Sequence, residues 1–289
     1  MQLTRGNPTS FSNLVNYGSP AYDVATAVCE DDDGNTRLVS QVNHQLGTQS
    51  AQLSYLVAEA GFDQGQLACL LDELVKKAGG WGALNVTCEL EANSAFFETF
   101  RRCDFNVWSN ERFWTIDPAG TALDPDTHKW RTWTGEDAKA MRSLYQNIVP
   151  RLFQPIEPMT RKSNPGLVLY NTENTLLGYA DLVDGPKGTW VLPVLYPQWA
   201  DDPQLLLSLQ AALPKKGKRA VHYCVRSYQP WLEDTLTRMG ASASQEYVLM
   251  VKYMALRQKA GDLLESRVLE NGRKETSVPV ARIRPKGAS

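Results

Sequence analysis

The sequence has little histidine or cysteine, and this excludes several kinds of site. Its 289 residues include three histidines and five cysteines, with no Cys-x-x-C pair. The histidines lie far apart and outside zinc-site spacing, so we expect no metal centre. Five scattered cysteines are typical of reduced thiols rather than of a disulfide framework, which predicts a cytoplasmic protein.

Long apolar runs and an excess of one charge are also lacking. No segment approaches the roughly 18 uncharged apolar residues of a membrane-spanning helix, and the polar residues 1–10 lack the apolar core of a secretory signal. Thirty basic against 32 acidic residues give a net charge of −2, so no overall field attracts a polyanion. We therefore expect neither a nucleic acid nor a membrane as partner.

What remains is an ordinary folded chain, with 43% hydrophobic and 21% charged residues. Residues 117–129 contain two Asp-Pro steps and a glycine without apolar periodicity, which is typical of a linker. The final residues are polar, mildly basic and interrupted by proline and glycine. We predict domains at 1–116 and 130–258, a linker at 117–129 and a tail at 259–289.

The two domains carry the same pattern. Alternating and apolar segments predict strands at 24–29, 37–43, 52–57, 83–88 and 105–116 and helices at 66–78 and 93–102 in the first. In the second they predict strands at 130–133, 167–170, 176–183, 189–195, 220–225 and 245–256 and helices at 134–148, 204–213 and 228–239. The shared order is strand, strand, strand, helix, strand, helix, strand. It indicates an α/β fold in which each domain has a mixed, largely antiparallel sheet with one parallel, splayed pair, flanked by helices.

Residues 57–71 can be aligned without a gap to a known turn between a strand and a helix. This turn has Arg or Gln at its first specified position, Gly three residues later, and Gly or Ala two residues after that. In this sequence the three positions are occupied by Phe62, Gly65 and Leu67. In this segment the chain resembles the GNAT superfamily of acyl-CoA-dependent N-acyltransferases, as a tandem over residues 20–258. The resemblance implies acetyl-CoA or another acyl-CoA as co-substrate.

The resemblance also implies where the coenzyme binds. Main-chain N–H groups at a helix N-terminus bind a pyrophosphate, which implies a role for Gln64, Gly65, Gln66 and Leu67. A strand N–H near Val57 is implied to polarise the thioester carbonyl.

The tyrosine that commonly serves this family as general acid is replaced in both halves. Phe100 stands in its position in the first half and Leu236 in the second.

Two side chains are candidates for catalysis. Tyr228, after the strand at 220–225, could donate a proton; the other interpretation makes it an aromatic anchor beside a helix cap at Ser227. Glu59, after the strand at 52–57, could accept a proton from an amine, or be only a solvated loop residue.

Two functions stay open at this point. One is an N-acyltransferase, in the first place an acetyltransferase, acting on a small-molecule or peptide amine. The other is a catalytically inactive tandem GNAT-like protein that binds a small molecule or a protein partner. The sequence does not indicate an oligomeric state.

Overall fold

The computed structural model describes residues 22–30, 36–116, 129–160, 166–185, 187–213 and 219–254. The linker expected at 117–129 falls outside these residues except for Lys129, and the tail expected at 259–289 falls wholly outside them. The domain boundaries therefore stay predictions. None of the helices in the described ranges combines the length and the apolar character needed to cross a membrane.

The first half has the expected order of elements. They are β1 (Tyr22–Glu30), β2 (Thr36–Gln45), β3 (Ser50–Ala58), α1 (Gln64–Gly80), β4 (Asn85–Glu91), α2 (Phe97–Arg102) and β5 (Asn106–Ile116). The leucines whose spacing predicted α1 are buried on one side of that helix. Helix α2 begins later than predicted because a turn precedes it, in which Ser94 N–H donates to Glu91 C=O at 2.9 Å.

The second half repeats this order after an additional strand and helix. Its elements are β6 (Arg131–Thr132), α3 (Ala138–Ile148), β7 (Leu167–Tyr170), β8 (Leu176–Asp184), β9 (Gly188–Leu195), α4 (Pro197–Ala200), α5 (Pro203–Ala212), β10 (Ala220–Arg226), α6 (Trp231–Arg238) and β11 (Ser242–Tyr253). The short helix α4 was not predicted, although Pro197 at its start is a typical signal.

The eleven strands of the described chain form one sheet, in the order β1-β2-β3-β4-β11-β5-β10-β9-β8-β7-β6. Strand β11 lies between β4 and β5, and β5 pairs in turn with β10. The two halves thus exchange their last strands. The mixed sheet with one parallel pair in each half, β3 with β4 and β9 with β10, is confirmed. The exchange was not predicted, because local patterns do not show which partner a strand chooses.

Alternation along the strands separates two faces of the sheet. On β10, Tyr223 and Val225 pack against the core under α5 and α6, whereas Arg226 points to the opposite face. On β4, Cys88 packs in the core under α1, and Glu89 points to the opposite face. This opposite face is covered in the second half by α3 and the residues that follow it.

Candidate functional site

Each half opens a fork where its parallel strands stop pairing. Strands β3 and β4 pair only from Ser50–Asn85 to Gln52–Thr87, and residues 53–58 and 88–91 then form the first fork. Strands β9 and β10 pair only from Gly188–Ala220 to Val191–Tyr223, and residues 192–195 and 224–226 then form the second fork. The inner edges of a fork carry main-chain groups without a strand partner, so a ligand with amide groups can bind there.

Gln229 fills the second fork. Its Nε2 donates to Pro193 C=O at 3.0 Å, and its Oε1 accepts from Leu195 N–H at 3.4 Å. The whole residue is 0% exposed. Both main-chain groups belong to β9 beyond its last pair with β10, so the carboxamide takes the place of the missing strand. The Pro193 C=O and Leu195 N–H groups of this fork are therefore hydrogen-bonded within the chain itself.

The first fork presents main-chain groups of the same kind. Glu59 N–H donates to Arg37 C=O at 2.9 Å, which makes the opposed residues Leu38 and Ala58 a non-hydrogen-bonded pair of the β2–β3 ladder. The N–H and C=O of Ala58 therefore point away from β2 and into the fork. By the alternation of the ladder, those of Leu56 do the same.

Val57, which the resemblance implied as the polarising residue, lies between these two. It opposes Val39 on β2, and the same alternation directs its main-chain groups to β2. Its side chain is 53% exposed. The N–H groups that face the first fork are thus those of its two neighbours, Leu56 and Ala58, and a one-residue shift of this kind is not visible in the sequence.

Matching hydrogen bonds identify the residue of the first half that corresponds to Gln229. Gln229 N–H donates to Arg226 C=O at 2.8 Å, and Ser94 N–H donates to Glu91 C=O at 2.9 Å. The next turn repeats as well, from Leu232 N–H to Gln229 C=O at 3.2 Å and from Phe97 N–H to Ser94 C=O at 3.0 Å. Ser94 therefore occupies the position of Gln229.

This difference decides which fork is open along its inner edge. The Ser94 hydroxyl accepts from Phe96 N–H at 3.3 Å, two residues along its own turn. A serine has only one side-chain carbon, whereas the glutamine needs three to reach β9. In the described residues, we find no side chain that bridges the first fork as Gln229 bridges the second.

Helix α1, after the first fork, and helix α5, which follows α4 after the second fork, are each capped by an aspartate. The Asp63 carboxylate accepts from Gln66 N–H at 2.9 Å, and the Asp202 carboxylate accepts from Gln204 N–H at 2.9 Å. Such a cap stabilises the helix. Since a phosphate binds in the same positive region, each aspartate also opposes a phosphate there.

The four residues predicted to bind the pyrophosphate differ in whether their N–H groups are available to a ligand. Gln64 and Gly65 lie exposed in the first turn of α1, so their N–H groups can face a ligand. The N–H of Gln66 is taken by Asp63, and that of Leu67 donates to Asp63 C=O at 3.1 Å. The Leu67 side chain is 0% exposed and packs in the core, so it does not occupy the phosphate side of the turn.

An aromatic pair closes the outer end of the first fork. The rings of Phe62, in the turn before α1, and Phe96, in the turn before α2, lie 5.0 Å apart between centroids. Both residues are half-buried. The pair links the turn before α1 to the turn before α2 and packs against the core under α1.

A buried ion cluster lies on the sheet face opposite α5 and α6. Arg226 is 2% exposed; it pairs with Glu111 and, at 2.6 Å between Nε and Oε1, with Glu157. The half-buried Glu89 lies 3.8 Å from Arg226 Nη2. Burial lowers the pKa of the guanidinium while Glu89 raises it, and an arginine so paired stays charged.

Tyr228 belongs to this cluster. Its hydroxyl donates to Glu157 Oε2 at 2.6 Å. Burial, followed by the Glu157 charge, raises the pKa of Tyr228 far above its ordinary value, so the proton is hard to release. The neighbouring Ser227 lies 3.2 Å from Ser109 Oγ and does not cap α6, whose N-cap is Pro230.

The two predicted catalytic residues lie in different halves. Glu59 follows Ala58 directly and forms an ion pair with Arg37, at the outer end of the first fork. Sequence reasoning missed Glu89, on β4 beyond the last pair with β3. The position of Glu89 next to the buried Cys88 could have identified it, because successive side chains of a strand point to opposite faces of the sheet and Glu89 must therefore face away from the core.

The positions where the family's acid usually stands are buried in both halves. Phe100 and Leu236 are 1% and 0% exposed. They are equivalent, because Phe105 N–H donates to Phe100 C=O and Ala241 N–H donates to Leu236 C=O, both at 3.0 Å. The residues at the ends of these helices also match: Asp104 and Gly240 both have left-handed φ angles, of 63° and 76°. Neither helix presents a proton donor from this position.

Comparison with known proteins identifies the fold. No protein-family model and no curated protein sequence matches the chain. Solved structures do match. A GCN5-related N-acetyltransferase from Sphaerobacter thermophilus has a TM-score of 0.54 at 16% identity, over 79% of this chain and 80% of its own. A GCN5-related N-acetyltransferase from Kribbella flavida has a TM-score of 0.51 at 13% identity, over 80% and 90%.

A tandem structure matches over a greater share of this chain. A tandem GNAT protein from the clavulanic acid biosynthesis pathway has a TM-score of 0.52 at 12% identity, over 84% of this chain and 86% of its own. The expected resemblance is thus confirmed at the level of the fold: this chain has a tandem GNAT fold. At identities this low the match shows the fold alone, and neither a substrate nor the role of any residue can be transferred from these proteins to this chain.

Proposed function

We propose that the chain is an acyl-CoA-dependent N-acyltransferase whose coenzyme binds in the first fork. The observation that carries this proposal is the Gln229 carboxamide, held between Pro193 C=O and Leu195 N–H. The first fork offers the same pair of groups from Leu56 and Ala58, with no glutamine between them. The pantetheine arm of coenzyme A also carries amide groups. One of them can form with the first fork the two hydrogen bonds that the Gln229 carboxamide forms with the second.

The far end of the coenzyme would lie at the N-terminus of α1. The exposed N–H groups of Gln64 and Gly65 would hold the pyrophosphate. Asp63 opposes that charge, so we expect weaker binding than such a helix end alone would give. Acetyl-CoA is the first donor to test, and the scattered cysteines favour a cytoplasmic setting.

The chemistry needs few side chains. The Leu56 N–H, which also points into the fork, would donate to the thioester carbonyl oxygen as the amine nitrogen of a small molecule or peptide attacks the carbonyl carbon. The new C–N bond forms, the C–S bond breaks, and the thiolate leaves. Glu59 or Glu89 would accept the proton that the amine loses. Tyr228 would keep its anchoring role, because its hydroxyl retains its proton and donates it in the hydrogen bond to Glu157.

Titration calorimetry with acetyl-CoA on the full chain and the Ser94→Gln variant tests this proposal. The new glutamine copies the plug of the second fork, and a ligand must then displace two hydrogen bonds of about 1 kcal/mol each. We expect saturable binding by the original chain and at least about tenfold weaker binding by the variant.

Ser94→Ala is the matched control, because it changes the same position without a plug. We expect its affinity to stay within about twofold, a change of under 0.5 kcal/mol. Equal affinities of Ser94→Gln and Ser94→Ala would contradict the assignment of the fork.

A second candidate is a non-catalytic tandem GNAT protein that binds a small molecule or a protein partner. The aspartate at both helix N-termini and the buried Phe100 and Leu236 favour it, since each removes part of what the chemistry uses. No binding of acetyl-CoA at millimolar concentration would select this candidate.

A further inference from the structure

Strand β1 is an edge of the sheet in the described chain, and it lacks the features that usually protect an edge. It is nine residues long and contains no proline, lysine or arginine. Its one register irregularity lies at its end, between Cys29 and Glu30. A long, regular edge strand of this kind pairs readily with another strand.

The second half shows that a strand belongs at this position. Strand β7 is the counterpart of β1, since each begins a run of three strands that a helical segment and a further strand follow. On its outer side β7 pairs antiparallel with β6, with Arg131 opposite Val168 and Thr132 opposite Leu167. Among the described residues, no strand takes the corresponding place beside β1.

The register of the sheet shows which main-chain groups of β1 point outward. Leu38 belongs to a non-hydrogen-bonded pair of the β2–β3 ladder, so its N–H and C=O point to β1, where it opposes Cys29. The main-chain groups of Cys29 therefore point to β2. By alternation along the regular part of β1, those of Val24, Thr26 and Val28 point to the open edge.

We propose that the chain forms a twofold dimer through antiparallel pairing of β1 with β1 of a second copy, with the axis at Thr26. Thr26 then faces its own copy, and Val24 faces Val28 of the partner subunit. The outward groups form two hydrogen bonds at Thr26 and two at each Val24–Val28 pair, about six in all. This inference does not depend on the proposed acyltransferase activity.

The side chains of β1 are complementary in this register. Ala25 and Ala27 pack against the core under α1, so Val24, Thr26 and Val28 lie on the other face of the sheet. Val28 is 51% exposed, and in the dimer it packs against Val24 of the partner subunit. The two threonines are neighbours at the axis. Cross-strand pairs of β-branched residues stabilise a sheet.

Charge and space also permit this pairing. The two carboxylates of β1, Asp23 and Glu30, face Cys29 and Tyr22 of the partner subunit, so no like charges are opposed. Helix α1 packs over β1 and β2, which puts its axis one strand spacing (~4.8 Å) from the twofold axis. The two α1 helices then lie about 10 Å apart, near the distance of packed helices.

Cysteine substitution in the full chain tests the register. In the dimer the two Cα atoms at position 26 lie about 5.5 Å apart, within the range of a disulfide. The two at position 28 lie four residues apart along the strand, about 14 Å, beyond that range. We compare Thr26→Cys with Val28→Cys, both at exposed positions, under oxidised glutathione. The original chain gives the baseline for its own five cysteines.

We expect Thr26→Cys to give at least about fivefold more disulfide-linked dimer on a non-reducing gel than Val28→Cys. The Val28→Cys variant should stay at the level of the original chain. Equal yields from the two variants, or no yield above the original chain from either, would overturn the proposal.

Sedimentation equilibrium measures the association itself. Thr26→Pro removes the outward N–H and spares the ladder with β2, in which that N–H takes no part. Thr26→Val is the matched control, because it keeps the N–H. We expect the original chain and the valine variant to form dimers, and the proline variant to associate at least about tenfold more weakly, because both central hydrogen bonds are lost.

A single-chain mass for the original chain at every concentration would contradict the dimer, as would equal association of the proline and valine variants. If the single chain still protected the Thr26 amide from hydrogen exchange, the edge would belong to another segment of the same chain, such as residues 1–21, and the proposal would be overturned in favour of that segment.

Discussion

At the scale of single residues, the turn at 226–229 is the most informative part of the chain. Three of its four side chains reach two different places: Arg226 and Tyr228 enter the buried ion cluster, and Gln229 enters the second fork. Arg226 holds carboxylates from both halves, namely Glu157 of the second and Glu111 of the first. The cluster therefore ties the halves together through charge as well as through strands.

Replacement of Arg226 by methionine should destabilise the protein strongly. The change leaves Glu111 and Glu157 buried without their countercharge, which costs about 3 to 5 kcal/mol. Urea unfolding followed by circular dichroism measures the loss. Glu89→Gln is the control, since Glu89 is 3.8 Å from the arginine and partly exposed, and should cost about 1 kcal/mol or less. Similar losses for the two variants would contradict the central role of Arg226.

At the scale of elements, the start of α3 shows how one carboxylate organises a helix. Asp137 accepts from Thr134 N–H at 2.7 Å and from the Tyr170 hydroxyl at 2.9 Å, and binds Arg131 through both oxygens at 2.8 and 2.6 Å. The paired arginine lowers the pKa of Asp137 well below its ordinary value, with smaller contributions from Thr134 and Tyr170. The helix N-terminus thus depends on the ionised form.

The pH dependence of stability follows from the direction of this shift. The carboxylate has a lower pKa in the folded than in the unfolded state, so its contribution is complete above about pH 4 and is lost as the pH falls below that value. Asp137→Asn should cost about 1.5 to 3 kcal/mol at pH 7. The loss should shrink between about pH 4 and pH 2, as measured by urea unfolding. A cost that stays constant down to pH 2 would contradict the assignment.

The elements themselves were largely predictable from sequence, and their pairing was not. Helix α1 and strand β9 follow from local apolar spacing, which depends on residues a few positions apart. The Gln229 plug joins residues 36 positions apart, and the β5–β11 pairing joins residues more than a hundred apart. Contacts of this range leave no local periodicity, so the residue that closes one fork could not be predicted.

At the scale of the whole molecule, two equivalent halves have become unequal. The strand exchange means that neither half completes its sheet without the other. The forks of the two halves differ at the position that Ser94 occupies in the first half and Gln229 in the second. We infer that the second half acts as a closed scaffold and that the first half holds the ligand.

The most direct test of this division locates bound acetyl-CoA on the full chain by hydrogen exchange with mass spectrometry. We predict slower exchange on saturation for peptides covering residues 53–66, where the first fork meets α1. Peptides covering residues 192–204 of the second fork should not change. Protection confined to residues 192–204, or no protection in either segment, would contradict the assignment of the coenzyme to the first fork.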